Sequence, residues 1–363
     1  MKTKHTIYFG QSQNMSKIED KSVDLIVTSP PYPMIEMWDD IMAGQNPSIK
    51  DAFSENNPSL AFELMHKELD KVWDECKRVM KDGAILCINI GDATRTINGS
   101  FALYNNHSRI VSYCLSIGLT NLTNIIWRKQ TNAPNKFMGS GMLPCGAYVT
   151  LEHEYILIFR KGGKRDYKSA ESKQIRRESA YFWEERNLWF SDLWDLKGTK
   201  QRLANSVTRE RSAAYPFEVP YRLINMYSQK GDVVLDPFMG TGTTTQAAML
   251  LGRNSVGYEI DQTFSSLMKE NIDSLSISDM NSLIKTRYDK HITFVNERTK
   301  THGALKHRNN ILNCEVMTAQ EEDLKLHYLK SIDKLNSSTL AYEVEYEDTS
   351  DMNQTPKAEG ALF

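Results

Sequence analysis

Apolar residues recur along the chain in two alternating rhythms. Val23 to Thr28, VDLIVT, is a short apolar run ending at Ser-Pro-Pro-Tyr, and it predicts a buried strand that runs into a stiff loop. Between 60 and 80, Leu60, Leu64, Leu69, Val72, Trp73 and Val79 fall at helical spacing, and Lys81-Asp82-Gly83 supplies a stop. AILCINI follows as a second buried strand, then a helix around 106–116 and the strand-like runs NLTNIIWR and LEHEYILIF. The rhythm resumes with a helix over 217–229, a strand over 232–236, a helix over 243–251 and a strand over 254–259. Short apolar runs alternating with helical spacing predict an α/β fold, a mostly parallel Rossmann-like sheet with helices on both faces.

Two stretches break the pattern. Residues 160–211 carry 14 Lys and Arg against 8 Asp and Glu, and they interleave Tyr167, Tyr181, Phe182, Trp183, Trp189, Phe190 and Trp194. Beyond about 265 the chain turns polar and its spacing is mainly helical. The expected division is therefore 1–160 and 212–265 as two halves of one catalytic domain, with 161–211 inserted between them. A helical extension over 266–345 and a disordered tail over 346–363 complete it. The last 21 residues hold six acids and one lysine, too few apolar groups to bury.

Composition narrows the class. The 363 residues are 40% hydrophobic, enough for one large core and a smaller module. With 44 basic and 46 acidic side chains, overall charge says nothing about nucleic acid, so any such argument is local. No apolar run is long enough to span a bilayer, and no signal-peptide core follows the first residues. The five cysteines are dispersed without metal-ligand spacing, which points to a reducing cytoplasm rather than disulfides or zinc.

The chemistry gathers in two short segments. Asp236-Pro-Phe-Met-Gly-Thr-Gly-Thr-Thr244 follows a strand and opens a helix. Gly240 and Gly242 permit a tight turn and close approach of a ligand, and the helix start offers free N–H groups to an anion. No Gly-Lys-Ser/Thr follows, which excludes a phosphate loop. Glu259 ends the next strand about 20 residues on, where a carboxylate suits a ribose diol. Together they predict an adenosine-containing cofactor. The second segment is Ser29-Pro30-Pro31-Tyr32. Its prolines fix φ and remove two donors, so the Ser29 hydroxyl and the Pro30 carbonyl can act as rigid acceptors beside the flat Tyr32 ring. Methylation of an aromatic amine needs this set. Acceptors on the two N–H groups draw the nitrogen lone pair out of the ring, and a stacked ring holds the base.

This pair of segments resembles the amino-methyltransferase family of prokaryotic DNA methyltransferases, whose (D/N/S)PP(Y/F) loop and FxGxG loop match SPPY at 29–32 and FMGTG at 238–242. The catalytic loop comes first, as in the permuted β arrangement of the family, and the resemblance covers about residues 5–265. It implies S-adenosyl-L-methionine (SAM) as cofactor, held by Asp236, Phe238, Gly240, Gly242, Thr243, Thr244 and Glu259. Ala213 to Pro220 would close over its methionine part. Gln11 stands where many members carry an acid that meets the adenine amine of SAM. The target base must be flipped from double-stranded DNA into the Ser29–Tyr32 pocket. A companion restriction endonuclease acting on the same site, in a prokaryotic cytoplasm with the enzyme on nucleoid DNA, is implied by the family too.

A first-position Ser favours the N4 amine of cytosine over the N6 amine of adenine, since adenine enzymes of the family usually carry Asp or Asn there. Carbon-5 methylation needs a thiolate in a Pro-Cys-Gln setting, and Pro144-Cys145-Gly146 lacks the Gln. His107 and His153 show no metal-ligand spacing and read as structural or surface residues. The candidate DNA contacts are Lys164, Arg165, Lys173, Arg176, Arg177, Lys197, Lys200 and Arg202, which would neutralise phosphates, while most of the tryptophans form a small core. Lys129, Asn132 and Lys136 follow a strand end and are expected to line the cleft. Two other readings remain: a non-catalytic DNA-binding protein on this scaffold, and a methyltransferase for RNA or protein amides.

Overall fold

The computed structural model describes residues 1–129, 138–198, 215–336 and 340–348. Its centre is an eleven-stranded sheet. In chain order its strands are β1 (Lys2–Phe9), β2 (Val23–Thr28), β3 (Met80–Ile90), β4 (Leu119–Asn121), β5 (Ile125–Arg128), β6 (His153–Lys161), β7 (Leu193–Asp195), β8 (Val233–Asp236), β9 (Asn254–Glu259), β10 (His327–Asn336) and β11 (Leu340–Asp348). They lie in the order β7-β5-β6-β3-β2-β8-β9-β1-β11-β10, with β4 also paired to β6. The middle five, β3-β2-β8-β9-β1, are parallel. β6 and β11 close this block on either side with antiparallel pairing.

Strand β2 is buried along its whole length because both faces of the sheet are covered. Leu25 and Val27 enter one core, and Val23 and Ile26 the other. The face that receives Ile26 is roofed by α1 (Asp39–Gln45), α2 (Ser48–Ser54), α3 (Pro58–Val79) and α4 (Asn106–Ser116). Two short helices, α5 (Ala170–Glu178) and α6 (Trp183–Trp189), follow β6. The opposite face takes α7 (Glu218–Tyr227), α8 (Thr243–Leu250), α9 (Phe264–Asp273) and α10 (Ile277–His302). No helix among the described residues is long and apolar enough to cross a membrane.

Three expectations are corrected. The helix over 60–80 ends at Val79, and Lys81-Asp82-Gly83 already belong to β3. Gly83 takes φ +87° there, and a Cβ on it would meet the Arg165 backbone at 2.6 Å, so this glycine serves a close approach rather than a helix stop. The extension after 265 is only half helical. Beyond α10 the chain forms a hairpin over 307–309 and 314–316, then β10 and β11, which extend the main sheet. Leu340, Tyr342, Val344 and Tyr346 turn inward at period two while Glu343, Glu345 and Glu347 lie between them, so the acids masked a strand. The proposed tail from 346 begins inside that strand, and 349–363 lie outside the described residues.

The described part of the basic aromatic segment is fastened to the scaffold. Trp194 in β7 and Phe182 are buried in the main core. Trp189 is buried as well, whereas Trp183 is exposed. Arg287 on α10 makes two 2.7 Å hydrogen bonds to the Glu185 carboxylate, and His291 bonds Glu184 at 2.8 Å. Arg165 is an anchor too. Its guanidinium spans both oxygens of buried Asp232, at 2.6 and 2.9 Å, and lies 3.5 Å from Asp24. An Arg165→Ala variant is expected to lose about 3 kcal/mol of stability in chemical denaturation, because it strands buried carboxylates.

Candidate active site

Strands β2 and β8 lie side by side and end at the same edge, so the loops after them meet. Thr28, the last residue of β2, donates a 2.7 Å hydrogen bond to Asp236 Oδ1 at the end of β8. Asp236 is the hub of the turn. Its Oδ1 also accepts from the Phe238 N–H at 3.1 Å, and its Oδ2 accepts from Thr244 at 2.6 Å and from Tyr215 at 3.3 Å. Burial pushes this carboxyl above its ordinary range, while the surrounding donors pull it back down. Gly240 and Gly242 stand at φ +52° and +88°, a region costly for any other residue, and the turn they make opens α8. Phe238 is held edge-on to Trp73.

Glu259 crosses to the same turn. Its Oε2 accepts from the Gly240 N–H at 2.8 Å and its Oε1 from the Asp261 N–H at 2.9 Å. Burial pushes its carboxyl up to about 7, against the pull of those two backbone donors. Around these residues lies a cleft that opens to solvent. Gln11, Ser29, Pro30, Pro31, Thr243 and Glu259 all border it. Trp38, Ile41 and Met42, from the segment containing α1, cover one side. That segment is pinned by Arg95, which bonds both oxygens of Asp39 at 2.9 and 2.6 Å.

Tyr32 sits at the end of a polar wall. Its hydroxyl donates to Glu154 Oε2 at 2.9 Å and accepts from Asn89 Nδ2 at 2.9 Å. Ser29 Oγ lies 3.3 Å from it. Lys129 pairs with the other oxygen of Glu154. Burial and the neighbouring Glu154 carboxylate hold the phenol well above its ordinary range, so it stays a donor. Behind the ring is Gly91, where a Cβ would come within 3.0 Å of Tyr32 Cε2.

The structure thus brings together the two segments singled out in the sequence, with Gln11 and Glu259 at the same cleft. Lys164, Lys173, Arg176 and Lys197 are exposed, Arg176 lying over the Tyr167 ring. Arg177 pairs with Asp323 at 3.1 Å. Lys200, Arg202, Asn132 and Lys136 fall outside the described residues. Cys145 is exposed on a loop, His107 stacks on the Tyr155 ring and His153 meets that ring edge-on. Sequence reasoning missed Thr28, Asn89 and Glu154. Asn89 gave the clearest signal, as the one strongly polar side chain in the apolar run AILCINI.

A model of the DNA methylase family matches residues 23–270. The chain belongs to that family. Among the methylase's relatives is the type II methyltransferase M.MthZI of Methanothermobacter thermautotrophicus, 50% identical over 94% of this chain and 95% of the relative. The type II methyltransferase M.MjaI of Methanocaldococcus jannaschii is 49% identical over 74% of this chain and 91% of its own. A putative DNA modification methylase from Thermus thermophilus, solved with S-adenosyl-L-methionine, superposes with a TM-score of 0.57 at 31% identity, covering 74% of this chain and 92% of that one. The fold of the methylase is also that of the cytosine-N4-specific PvuII DNA methyltransferase, with a TM-score of 0.51 at 14% identity over 77% and 91% of the two chains.

Proposed function

We propose that the methylase uses SAM to methylate the exocyclic N4 amine of a cytosine flipped out of double-stranded DNA, as the modification partner of a restriction endonuclease. The observation that carries this reading is the junction at Thr28 and Asp236, which sets Ser29 and Pro30 on the rim of the cleft beside the glycine turn. The cleft suits the cofactor. It offers the free N–H groups at the start of α8 for a carboxylate, the Glu259 carboxylate for a ribose, and Phe238 and Ile260 as apolar walls for a purine. SAM, when bound, supplies a methyl group already activated by its sulfonium, so the protein's part is to position the acceptor.

Ser29 Oγ and the Pro30 carbonyl take the amine hydrogens, and Tyr32 holds the base face. DNA phosphates meet Lys164, Lys173, Arg176 and Lys197, together with Lys200 and Arg202. A hydroxyl rather than a carboxylate or amide at position 29 favours cytosine. The test is to incubate the protein with plasmid DNA and methyl-labelled SAM, then separate the nucleosides by mass spectrometry. Labelled N4-methylcytosine supports the reading. Labelled N6-methyladenine moves the target to adenine, and label absent from DNA despite SAM binding moves the substrate to RNA or protein.

Cofactor affinity is expected to depend on pH through Glu259. Below about pH 7 its carboxyl is protonated and becomes a poorer acceptor for a ribose diol, so the Kd for SAM rises on acidification. Stability of the free protein runs the other way. A carboxyl raised from 4.5 to about 7 keeps its proton in the fold where the unfolded chain has lost it, so this residue's contribution declines as pH climbs from 4.5 to 7. Calorimetric titration of SAM across that range, with Glu259→Gln flattening the dependence, checks both the role and the sign.

A further inference from the structure

Ser29 has a hydroxyl that can donate or accept, and only one of these helps the reaction. A donor aimed at the target nitrogen would tie up the lone pair that must attack, whereas an acceptor frees it. Resting on the methyl-transfer reading above, we infer that Glu154 is a positioning residue that fixes the hydrogen-bond polarity of Ser29, so that its hydroxyl meets the target amine as an acceptor.

The argument is a count of donors. The carboxylate of Glu154 accepts only. Tyr32, 2.9 Å from Oε2, therefore spends its single proton on Glu154. Asn89 turns Nδ2 to the same group of oxygens, 2.8 Å from Glu154 Oε2 and 2.9 Å from Tyr32 Oη. The carboxylate imposes this orientation against a cost, because Asn89 Oδ1 is left buried and without a partner. Tyr32 Oη then has no proton to offer Ser29. At 3.3 Å, the contact between them forms only with Ser29 as donor. With that proton directed to Tyr32, Ser29 Oγ is left as an acceptor on the cleft it borders; Asn89 Nδ2, 3.4 Å away, also approaches it as a donor and so calls on its lone pairs, not its proton.

Among the described residues, Glu154 is framed by few other charges. Lys129, at the end of β5, pairs with its second oxygen, and Tyr32 and Ser29 approach from the loop after β2. Tyr215 lies close enough to Tyr32 to act on its phenol. His153 and Tyr155 flank Glu154 on β6, contact each other and join His107, so by strand alternation they occupy the opposite face.

A neutral amide at 154 keeps the shape of the wall but can present N–H to Tyr32 and release the polarity. Single-turnover methyl transfer at saturating SAM is expected to fall on the order of tenfold to a hundredfold in Glu154→Gln, the worth of one charge-assisted hydrogen bond, with the Kd values for SAM and DNA unchanged. The deciding measurement is a double-mutant cycle with Ser29→Ala. If Glu154 acts through Ser29, adding Glu154→Gln to Ser29→Ala costs no further rate. Additive losses, or a wild-type rate in Glu154→Gln, overturn the inference. Should Glu154→Gln fail to fold, Glu154→Asp, which keeps the charge but draws it back from Tyr32, is read in the same cycle with Ser29→Ala. Additive losses there overturn the inference as well. A wild-type protein that binds SAM and transfers nothing to DNA sinks the methyl-transfer reading itself, a result distinct from an active enzyme indifferent to Glu154.

Discussion

Tyr32→Ala is expected to transfer methyl groups on the order of a hundredfold or more slowly while binding SAM as before. In the proposed reaction the ring holds the face of the flipped base, a contact worth about 1–3 kcal/mol by alanine substitution. Its loss also frees the base to rotate away from Ser29 and Pro30, and misplacement of a reacting atom by an ångström is costly in itself. The ring is well braced, with Gly91 behind it and Glu154 and Asn89 at its hydroxyl. Cofactor affinity should hold because Asp236, Gly240 and Glu259 make no hydrogen bond to Tyr32. Single-turnover rates paired with calorimetric SAM titration check the split. A Tyr32→Ala protein with normal rate removes the ring from the mechanism.

Asp236→Ala is expected to fail earlier, at cofactor binding and at stability together. The change removes the shared acceptor of Thr28, Thr244, Tyr215 and the Phe238 N–H, all of them around a fully enclosed carboxyl. Each stranded donor costs about 1–3 kcal/mol, softened where Tyr215 and Thr244 still bond each other. A net loss of about 3–5 kcal/mol, read by urea unfolding, is the expected result. Asp236→Asn should retain part of the stability, since its carbonyl still accepts, but its amide N–H groups now oppose donors on one side of the former carboxylate. If Asp236→Ala unfolds as the wild type does and still binds SAM, the hub assignment is wrong.

How much of this was readable beforehand follows from range. The alternating rhythm located β2, β3, β8 and β9 because each is a short run buried on both faces. Ser29–Tyr32 and Asp236–Thr244 were readable because proline pairs and glycine turns constrain the backbone wherever they occur. Glu154 was not, since nothing near it in sequence distinguishes an acid at a strand start from a solvated one. Its meaning comes from Tyr32, on a loop 122 residues away. Strands β10 and β11 were missed for a related reason. In β11 the inward Tyr342, Val344 and Tyr346 alternate with Glu343, Glu345 and Glu347, and net charge obscured the period. Arg165 is the reverse case: its two hydrogen bonds to Asp232, 67 residues away, were hidden within a basic stretch.

The hydrogen bond from Thr28 to Asp236 spans 208 residues of chain. Such a contact is assembled late, because the entropy of closing so long a loop is repaid only once β2 and β8 are paired in one sheet. A ribosome that has released β2 has therefore made half a site. The catalytic loop stays without its cofactor turn until β8 and β9 have emerged and docked. Partly synthesised chains should thus be inert towards DNA, and SAM should act as a ligand of the finished sheet, slowing its unfolding without speeding the early steps of its folding.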